Sequence, residues 1–540
     1  MTTVRWLPSC NISTMPDFQS PTQLQLAPAG AGKTEYALKR LVEASIRHPF
    51  GKKWVLLPTE RQAHAFRRRL LDMDPSRHTF FNVEFLTFYS LYSRLLDAAG
   101  RPHRCLDEAA RFRLVRLVAQ ALAREGELNV FAGIATTPGF VRVVADFIYE
   151  LKQNLIEPET FLAQAQTVKD HDLGLLYARY QALLGARDLV DREGMGWLAL
   201  DTLRNMPALA TDVDLFLVDG FDQFSVVQAR ITALLGGRAR ESVITLTTVP
   251  GQEQVIGRRF QRALERLEAM HALEGQPLEV EELDVAAQDR RHPALRHLVD
   301  SLFRSPVAVR RSSDGALKLI EAPEPAEEIA AIFRHVKRLL LEGVHPNEIV
   351  IAVRDWATYA PHIHSLAHTY GLAHVLAVQH GEPLRDNPAI AALFDLLDLH
   401  AIDFRRRELL DVLRSPYIEL PGLDGEWIQA LDRVSRRLVV TGGRVAWRNA
   451  IRAAASVPLD PEDEDGERLL SAHAAEHLEH HLLRFFDRVT PPESASARAY
   501  VRWLELLIGD DPENNPDEPE PIVAPDVPSV NMIGRLRTPA

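Results

Sequence analysis

Residues 23–47 read QLQLAPAGAGKTEYALKRLVEASIR, and this stretch decides the fold. Its first four residues form a short apolar–polar alternation that is typical of a β-strand. A glycine-rich turn follows over residues 27–34, and apolar residues then return at three- and four-residue steps over residues 35–47. That spacing is typical of an amphipathic helix. The stretch therefore predicts a strand, a tight turn and a helix that opens directly from the turn.

The same alternation of strand and helix continues outward from this stretch. Residues 54–57 form a buried-type apolar run that Pro58 ends, and a helical pattern follows from about residue 60 to residue 71. Further strands are predicted over residues 213–218 and 243–246, with a helical stretch at about 105–210. Strands that alternate with helices predict an α/β fold with a parallel sheet. The helical stretch reads as an insertion into that fold.

The second half of the chain is predicted to contain another α/β unit. A linker near residues 305–315 precedes predicted strands over residues 317–320 and 349–353, with a long helix between them. From about residue 385 the pattern is helical, and residues 510–528 are rich in acids and proline, a composition typical of a flexible segment. The predicted domains are 1–310 with the insertion at about 105–210, then 311–385, then a helical part over 386–540.

Composition excludes several classes of protein. The 540 residues carry a net charge of -12, so any nucleic-acid contact must be local rather than spread over a basic surface. The two cysteines, Cys10 and Cys105, exclude a disulfide scaffold and a four-cysteine metal site built from this chain alone. The absence of a membrane-length apolar run in the sequence predicts a soluble, intracellular protein.

The turn itself resembles a phosphate-binding loop. Glycines are needed where the backbone curls around phosphates, and the N–H groups of the helix that follows favour an anion. We expect the loop to bind a nucleotide, with Lys33 reaching the β- and γ-phosphates and Thr34 ligating Mg²⁺. The predicted nucleotide-binding residues are Gly30, Ala31, Gly32, Lys33, Thr34 and Glu35.

Asp219 follows the predicted strand over residues 213–218 and would lie at its carboxyl end, the edge of a parallel sheet that faces ligands. An aspartate in this position supports Mg²⁺ in some proteins and caps the next helix in others, and taken alone the two readings are about even. Paired with the phosphate loop, the Mg²⁺ role is favoured. The predicted metal ligands are therefore Thr34 and Asp219.

Several segments together resemble the motifs of UvrD-like superfamily 1 helicases. Residues 218–228, VDGFDQFSVVQ, resemble the second motif of that family, and residues 57–63 and 86–91 resemble two segments that contact single-stranded DNA. Residues 349–354 resemble the strand that ends in a phosphate-sensing arginine. The resemblance implies a P-loop NTPase fold with RecA-like parallel sheets and large helical insertions. It also implies the following site residues: Lys33, Asp219 and Arg354 as catalytic groups, and Thr59, Thr87 and Phe88 as DNA contacts.

Two of these proposed DNA contacts have competing interpretations. The Phe88 ring could stack on a base, but burial in the core is the more common fate of a phenylalanine. The basic cluster of residues 67–69 could contact DNA phosphates or form a solvated helix face. The sequence leaves both questions open.

Among such helicases, the chain most resembles the AddB-like subunits of bacterial helicase–nucleases, whose second motif also reads Asp-Gly-Phe. The resemblance implies ATP and Mg²⁺ as cofactors, DNA ends as substrate and an AddA-like partner subunit. It also implies a C-terminal nuclease domain of the PD-(D/E)XK type with an iron–sulfur cluster. The sequence has no segment that matches this domain and no cysteine after Cys105, so neither the nuclease domain nor the cluster is expected in this chain. The chain therefore reads as the N-terminal part of a longer protein.

Departures from the helicase pattern predict weak catalysis. Gly220 stands where an active helicase has the glutamate that polarises the attacking water, and loss of a general base costs about 10²–10⁴-fold in rate. The third motif lacks its Gly-Asp pair, and either Gln252 or Gln254 could take the place of its glutamine. The last two helicase motifs are missing. Asp222 could replace the missing acid only if its loop bends unusually.

The sequence therefore predicts an ATP-binding, superfamily 1-like subunit that acts on DNA ends in double-strand break repair and recombination. Its own ATPase is expected to be weak. The alternative is a non-catalytic scaffold that binds DNA and a partner helicase, with ATP as a structural ligand. Both interpretations place the protein in the bacterial cytoplasm, associated with the nucleoid and not with a membrane.

Overall fold

In the computed structural model, six parallel strands form one sheet in the order β3-β2-β4-β5-β1-β6. The structure describes residues 21–73, 79–101, 103–248, 257–283, 291–302, 310–378, 384–459 and 467–508. Every ladder in the sheet is parallel. The strands are β1 (Thr22–Ala27), β2 (Lys52–Leu56), β3 (Val83–Leu86), β4 (Val213–Val218), β5 (Glu241–Thr247) and β6 (Leu278–Glu282).

The sheet is buried on both faces, which explains why its central strands are nearly all apolar. Along β4, Leu215 and Leu217 pack into the core on one face, while Phe216 and Val218 pack into the core on the other. One face is covered by α1 (Lys33–Arg47) and α2 (Glu60–Met73). The opposite face is covered by α3 (Phe88–Ala98), α8 (Arg192–Asn205), α9 (Val226–Gly236) and α10 (Arg258–Leu273).

A group of helices lies between β3 and β4 in the chain. Part of it has its own core, in which Leu176, Tyr177 and Tyr180 are fully buried. The helices with that core are α4 (Glu108–Glu125), α5 (Pro138–Gln153) and α7 (Val168–Ala186), and α6 (Pro158–Ala163) joins α5 to α7. They occupy the stretch that the sequence predicts as a helical insertion.

The chain divides into two compact units, Met1–Leu319 and Ile320–Ala540. The first contains the sheet, and its last described helix is α11 (Pro293–Ser301). The second begins with α12 (Pro325–Leu341) and α13 (Trp356–Thr369), which pack around Ile329, Phe333 and Ile363.

The two strands predicted over residues 317–320 and 349–353 are wrong, because the structure describes both segments as irregular. Their apolar side chains are not packed as a buried strand would require: Leu319 is 92% exposed and Val350 is 85% exposed. Neither segment has a neighbouring strand among the described residues, so its backbone groups have no ladder to join. The described part of the chain thus has one parallel sheet, not the two that the helicase resemblance implies.

The remaining elements described in the second unit are helices. Its core surrounds Trp447, whose indole Nε1 donates a hydrogen bond to the Phe404 carbonyl at 2.9 Å. Asp432 is paired with Arg406, Arg414 and Arg436. The helices are α14 (Pro388–Asp398), α15 (Arg406–Leu413), α16 (Gly425–Arg437), α17 (Arg444–Ala454), α18 (Ala472–Val489) and α19 (Ala497–Ile508).

Some predicted features lie outside the described residues. They are Cys10, the third-motif glutamines Gln252 and Gln254, and the acidic, proline-rich stretch 510–528. Among the described helices, none combines the length and the low polarity that crossing a lipid bilayer requires.

Candidate functional site

The carboxyl ends of β1, β2, β3 and β4 bring the predicted site residues to one edge of the sheet. Because all strands are parallel, the residues that follow each strand lie at the same edge. The turn of residues 28–32 follows β1, Thr87 follows β3 and Asp219 follows β4. Thr59 lies shortly after β2, at the start of α2.

The turn after β1 has the backbone of a phosphate-binding loop. Gly30 and Gly32 adopt φ angles of +74° and +91°, in the left-handed region that residues with a side chain rarely adopt. Gly32 directly precedes α1, whose first N–H groups have no partner within the helix. Ala31 is buried with Leu283, and its backbone N–H donates to the Pro28 carbonyl at 3.3 Å, which closes the turn. The loop can therefore offer backbone N–H groups to an anion.

Lys33 is held inside this loop. Its Nζ donates to the carbonyl oxygens of Ala27 at 3.0 Å and Pro28 at 2.8 Å. Burial lowers the pKa of Lys33 to about 8, with the Asp219 carboxylate opposing that shift and Arg291 adding to it. The ammonium group is thus poorly solvated, a condition that favours binding of an anion.

Asp219 connects the loop to the centre of the sheet. Its carboxylate is buried, with 4% of the residue exposed, and accepts hydrogen bonds from the hydroxyls of Thr34, at 2.9 Å, and Thr245. Its backbone N–H donates to the Leu56 carbonyl at 3.1 Å. Thr245 lies on β5, between the strands that lead to Thr34 and to Asp219. The Asp219 side chain is therefore fixed in orientation from two sides.

The pair formed by Thr34 and Asp219 fits a magnesium ion that is also bound by phosphate. Hydroxyl and carboxylate oxygens are the hard ligands that Mg²⁺ prefers, and Mg²⁺ commonly takes only one or two of them from the protein. Within the described ranges, no group of three or more His, Cys, Asp and Glu side chains could hold a metal ion without such help. The donor set thus matches a metal that arrives with a nucleotide.

A pocket of about 460 Å³ opens beside the loop. Glu35 lines it but forms an ion pair with Lys39 at 3.2 Å. Two arginines that the sequence did not assign to this site also line the pocket. The described residues that line it are Gly30, Gly32, Lys33, Thr34, Glu35, Arg69 and Arg291.

The loop after β4 presents no carboxylate at the position next to Asp219. Gly220 has a φ angle of +84°, and a Cβ atom on it would lie 3.5 Å from Cδ of Pro58. Asp222, the nearest following acid, forms an ion pair with Arg259 of α10 at 2.8 Å. The backbone conformation here thus suits glycine and disfavours the glutamate of an active helicase.

The three residues predicted to contact DNA differ in accessibility. Thr59 is exposed, and its hydroxyl accepts a hydrogen bond from the Gln62 N–H at 3.2 Å. Thr87 caps α3 through reciprocal bonds with Ser90. Phe88 is only 4% exposed and packs edge-on against Phe221, with ring centroids 5.2 Å apart. The Phe88 ring is therefore in the core, which leaves Thr59 as the most accessible of the three.

Arg354 lies in the second unit, directly after the irregular segment 349–353, and its side chain is exposed. The structure therefore does not place it on a strand, and its role as a phosphate sensor stays a prediction.

Three residues of the site were missed by the sequence interpretation: Thr245, Arg69 and Arg291. Thr245 is an ordinary β-strand residue within an apolar run, and Arg291 follows the last strand at a distance from any motif. Only Arg69 carried a signal, as part of the basic cluster 67–69, and that signal pointed equally to DNA and to solvent.

Comparison with known proteins gives one family and several relatives. The family model described as "ADDB, N-terminal" matches residues 25–299. The chain is 28% identical to the B-type subunit of the ATP-dependent helicase/deoxyribonuclease of Desulforudis audaxviator, over 69% of its length and 33% of that protein. It is 26% identical to the protein of the same name from Symbiobacterium thermophilum, over 66% of the chain and 31% of the relative. It is 24% identical to the protein of the same name from Moorella thermoacetica, over 74% of the chain and 36% of the relative. The chain thus spans about a third of the length of these curated relatives.

Proposed function

Because the chain belongs to the AddB N-terminal family, we propose that it is an ATP-binding part of a helicase–nuclease subunit that processes DNA ends in double-strand break repair and recombination. The observation that supports this most strongly is the joint position of Lys33, Thr34 and Asp219 beside the glycine loop, at the carboxyl edge of a parallel sheet. The relatives are named as subunits of an ATP-dependent helicase/deoxyribonuclease, which fits a nucleotide site of this kind.

In this proposal the loop binds the nucleotide phosphates through its backbone N–H groups and the Lys33 ammonium. Thr34 and Asp219 would hold Mg²⁺, which would neutralise phosphate charge when bound. Thr245 keeps the Asp219 carboxylate in place for that task, since its hydroxyl donates to Oδ1 while Thr34 donates to Oδ2. Arg354 of the second unit is proposed to act on the γ-phosphate.

Hydrolysis is proposed to be weak. With Gly220 in the left-handed region and Asp222 paired to Arg259, neither residue supplies a free carboxylate beside the nucleotide pocket. The same observation favours a second candidate function, a scaffold in which ATP is a structural ligand and the catalytic work belongs to an AddA-like partner. Both functions include contact with DNA, for which Thr59 and Thr87 are the proposed residues, because the Phe88 ring is buried in the core. Both functions belong in the bacterial cytoplasm at the nucleoid.

Phosphate release from ATP, measured with and without single-stranded DNA, separates the two functions. A motor subunit should show slow release that DNA stimulates and that Lys33→Ala removes. Equal release by wild type and Lys33→Ala would contradict the motor function, and binding of ATP without any Lys33-dependent release would support the scaffold. Failure of the wild-type chain to bind ATP would contradict both.

Gly220→Glu is expected to destabilise the protein without restoring hydrolysis. A residue with a side chain in the left-handed region costs about 1–2 kcal/mol, and Gly220 is held there at φ +84°. We therefore expect a lower melting temperature and no gain of the order of the 10²–10⁴-fold that a working general base provides. Gly220→Asn is the matched control, since asparagine tolerates this backbone. Hydrolysis that rises at least 10²-fold in Gly220→Glu alone would show that the loop can place a carboxylate productively.

ATP affinity is expected to fall as pH rises through the alkaline range. The pKa of Lys33 is about 8, and it is the protonated amine that attracts phosphate. Affinity should therefore be steady below that pH and should decrease above it, by at most about tenfold per pH unit. Calorimetric titrations between about pH 7 and pH 9.5 would measure this. In Lys33→Ala the decrease should be absent, and a wild-type affinity that does not change with pH would contradict the assignment.

A further inference from the structure

Two arginines from distant parts of the chain line the same pocket as Lys33. Arg69 belongs to α2, and Arg291 lies just before α11. Neither is part of the glycine loop or of the motif around Asp219. Both add positive charge to a pocket that already contains the Lys33 ammonium.

Arg291 lies directly against the glycine loop. Its Nη1 donates to the Ala29 carbonyl at 2.5 Å, and a Cβ atom on Gly30 would lie 3.2 Å from both its Cδ and its Nη1. The guanidinium is therefore next to the backbone that would surround phosphate. Burial is the main cause of the lowered pKa of Lys33, and the positive charge of Arg291 lowers it further.

Arg69 is distinguished from its neighbours in the basic cluster 67–69. Arg67 lies over the ring of Phe85, with its Cζ 5.0 Å from the ring centroid, and it does not line the pocket. Arg68 does not line the pocket either. Of the three, only Arg69 does so. The cluster therefore does not act as one surface, and its last member belongs to the proposed nucleotide site.

The charges in the pocket favour a ligand with several negative charges. Among the described residues that line it, three are cationic, Lys33, Arg69 and Arg291, and one is acidic, Glu35, which is paired with Lys39. Cationic side chains that line one pocket attract an anion that enters it. Guanidinium groups suit phosphate because they donate two parallel hydrogen bonds in a fixed plane.

We propose that Arg69 and Arg291 bind the phosphates beyond the α-phosphate, so that the first unit by itself selects nucleoside triphosphates over monophosphates. This proposal rests on nucleotide binding at the glycine loop, the function proposed above. It goes further by assigning two phosphate-binding residues outside the sequence motifs. It also proposes that the pocket distinguishes nucleotides by their number of phosphates.

The test is calorimetric binding of the Mg²⁺ complexes of ATP, ADP and AMP to the full chain and its variants. Arg69→Ala and Arg291→Ala are each expected to weaken ATP binding about tenfold, the effect of losing one charge-assisted contact of about 1.4 kcal/mol. AMP binding should change little, so the ratio of ATP affinity to AMP affinity should fall. Arg61→Ala, an exposed arginine of the same helix that does not line the pocket, is the matched control.

The outcomes separate this proposal from the one on which it rests. If wild type binds ATP and the Arg69→Ala/Arg291→Ala variant binds it equally well, the two arginines are not phosphate ligands, although the nucleotide site stands. If wild type binds no nucleotide, both proposals fail. If Arg69→Ala weakens binding of single-stranded DNA and not of ATP, Arg69 belongs to a DNA surface and the proposal is wrong. Arg69→Lys and Arg291→Lys keep the charge but not the two parallel hydrogen bonds, so they should retain more ATP affinity than the alanine variants if the proposal holds. Melting temperatures will reveal any variant that is not folded.

Discussion

Lys152→Ala is expected to lower the free energy of unfolding by about 3–5 kcal/mol, because it leaves a buried carboxylate without its partner. Lys152 of α5 and Asp191 at the start of α8 are only 1% and 2% exposed in their side chains, and Nζ lies 2.6 Å from Oδ1. Asp191 also accepts hydrogen bonds from the Tyr180 hydroxyl, at 3.1 Å, and the Gly194 N–H, at 2.8 Å. These bonds keep the carboxylate in place after the lysine is lost, so its charge stays buried.

Urea denaturation followed by circular dichroism would measure the loss, and hydrogen exchange would locate it in α5, α7 and α8. The matched control is Lys152→Met with Asp191→Asn, which removes both charges and keeps a residue that can cap α8. Since the desolvation of a buried pair offsets much of its attraction, the double variant should lose far less than Lys152→Ala. Equal losses in the two proteins would show that the ion pair itself, and not the unpaired charge, sets the stability.

Lys33→Ala is expected to weaken ATP binding by about 2–5 kcal/mol, which is roughly 30-fold to several thousand-fold in Kd. The size follows from burial: the Lys33 ammonium is poorly solvated, as its pKa of about 8 shows, so its attraction to phosphate is weakly screened by water. Binding of the Mg²⁺–ATP complex would be measured by calorimetry at a pH below that value.

Stability provides the control for this variant. A lysine whose pKa is lowered by burial is destabilising in its charged form, so Lys33→Ala should melt at the wild-type temperature or above it. Lys39→Ala, on the same helix and paired at the surface with Glu35, should leave ATP affinity unchanged. An unchanged Kd in a folded Lys33→Ala protein would mean that nucleotide does not bind at this loop.

Strands at the centre of the sheet could be predicted from the sequence, because both of their faces are buried and their residues are continuously apolar. The run 213–218 is β4, and 243–246 lies within β5. The edge strand β6 was missed, since it reads LEVEE and most of it is exposed. The segment 349–353 has the apolar composition of a central strand and yet forms none. Composition alone cannot show whether a neighbouring strand exists.

The glycine turn between β1 and α1 could be predicted because all of its residues are consecutive, so backbone chemistry and spacing are visible together. Its binding of phosphate stays a prediction. Thr245 and Arg291 lie more than two hundred residues from the loop, and only the folded chain brings them to it. The sequence shows that Gly220 stands where an active helicase has a glutamate carboxylate. Its left-handed backbone, which makes simple replacement by glutamate unfavourable, is a property of the folded loop.

The position of β1 in the sheet has a consequence for synthesis on the ribosome. This strand, which leads into the phosphate loop, pairs only with β5 and β6, so its neighbours end at Thr247 and Glu282. At about 5–20 residues per second, the ribosome needs on the order of ten seconds or more to produce them after β1 has appeared. During that interval β1 is a strand of alternating polar and apolar residues with two open edges, exposed to chaperones and to aggregation. The pocket beside the glycine loop is therefore completed only after β5 and β6 have been made, long after its own motif.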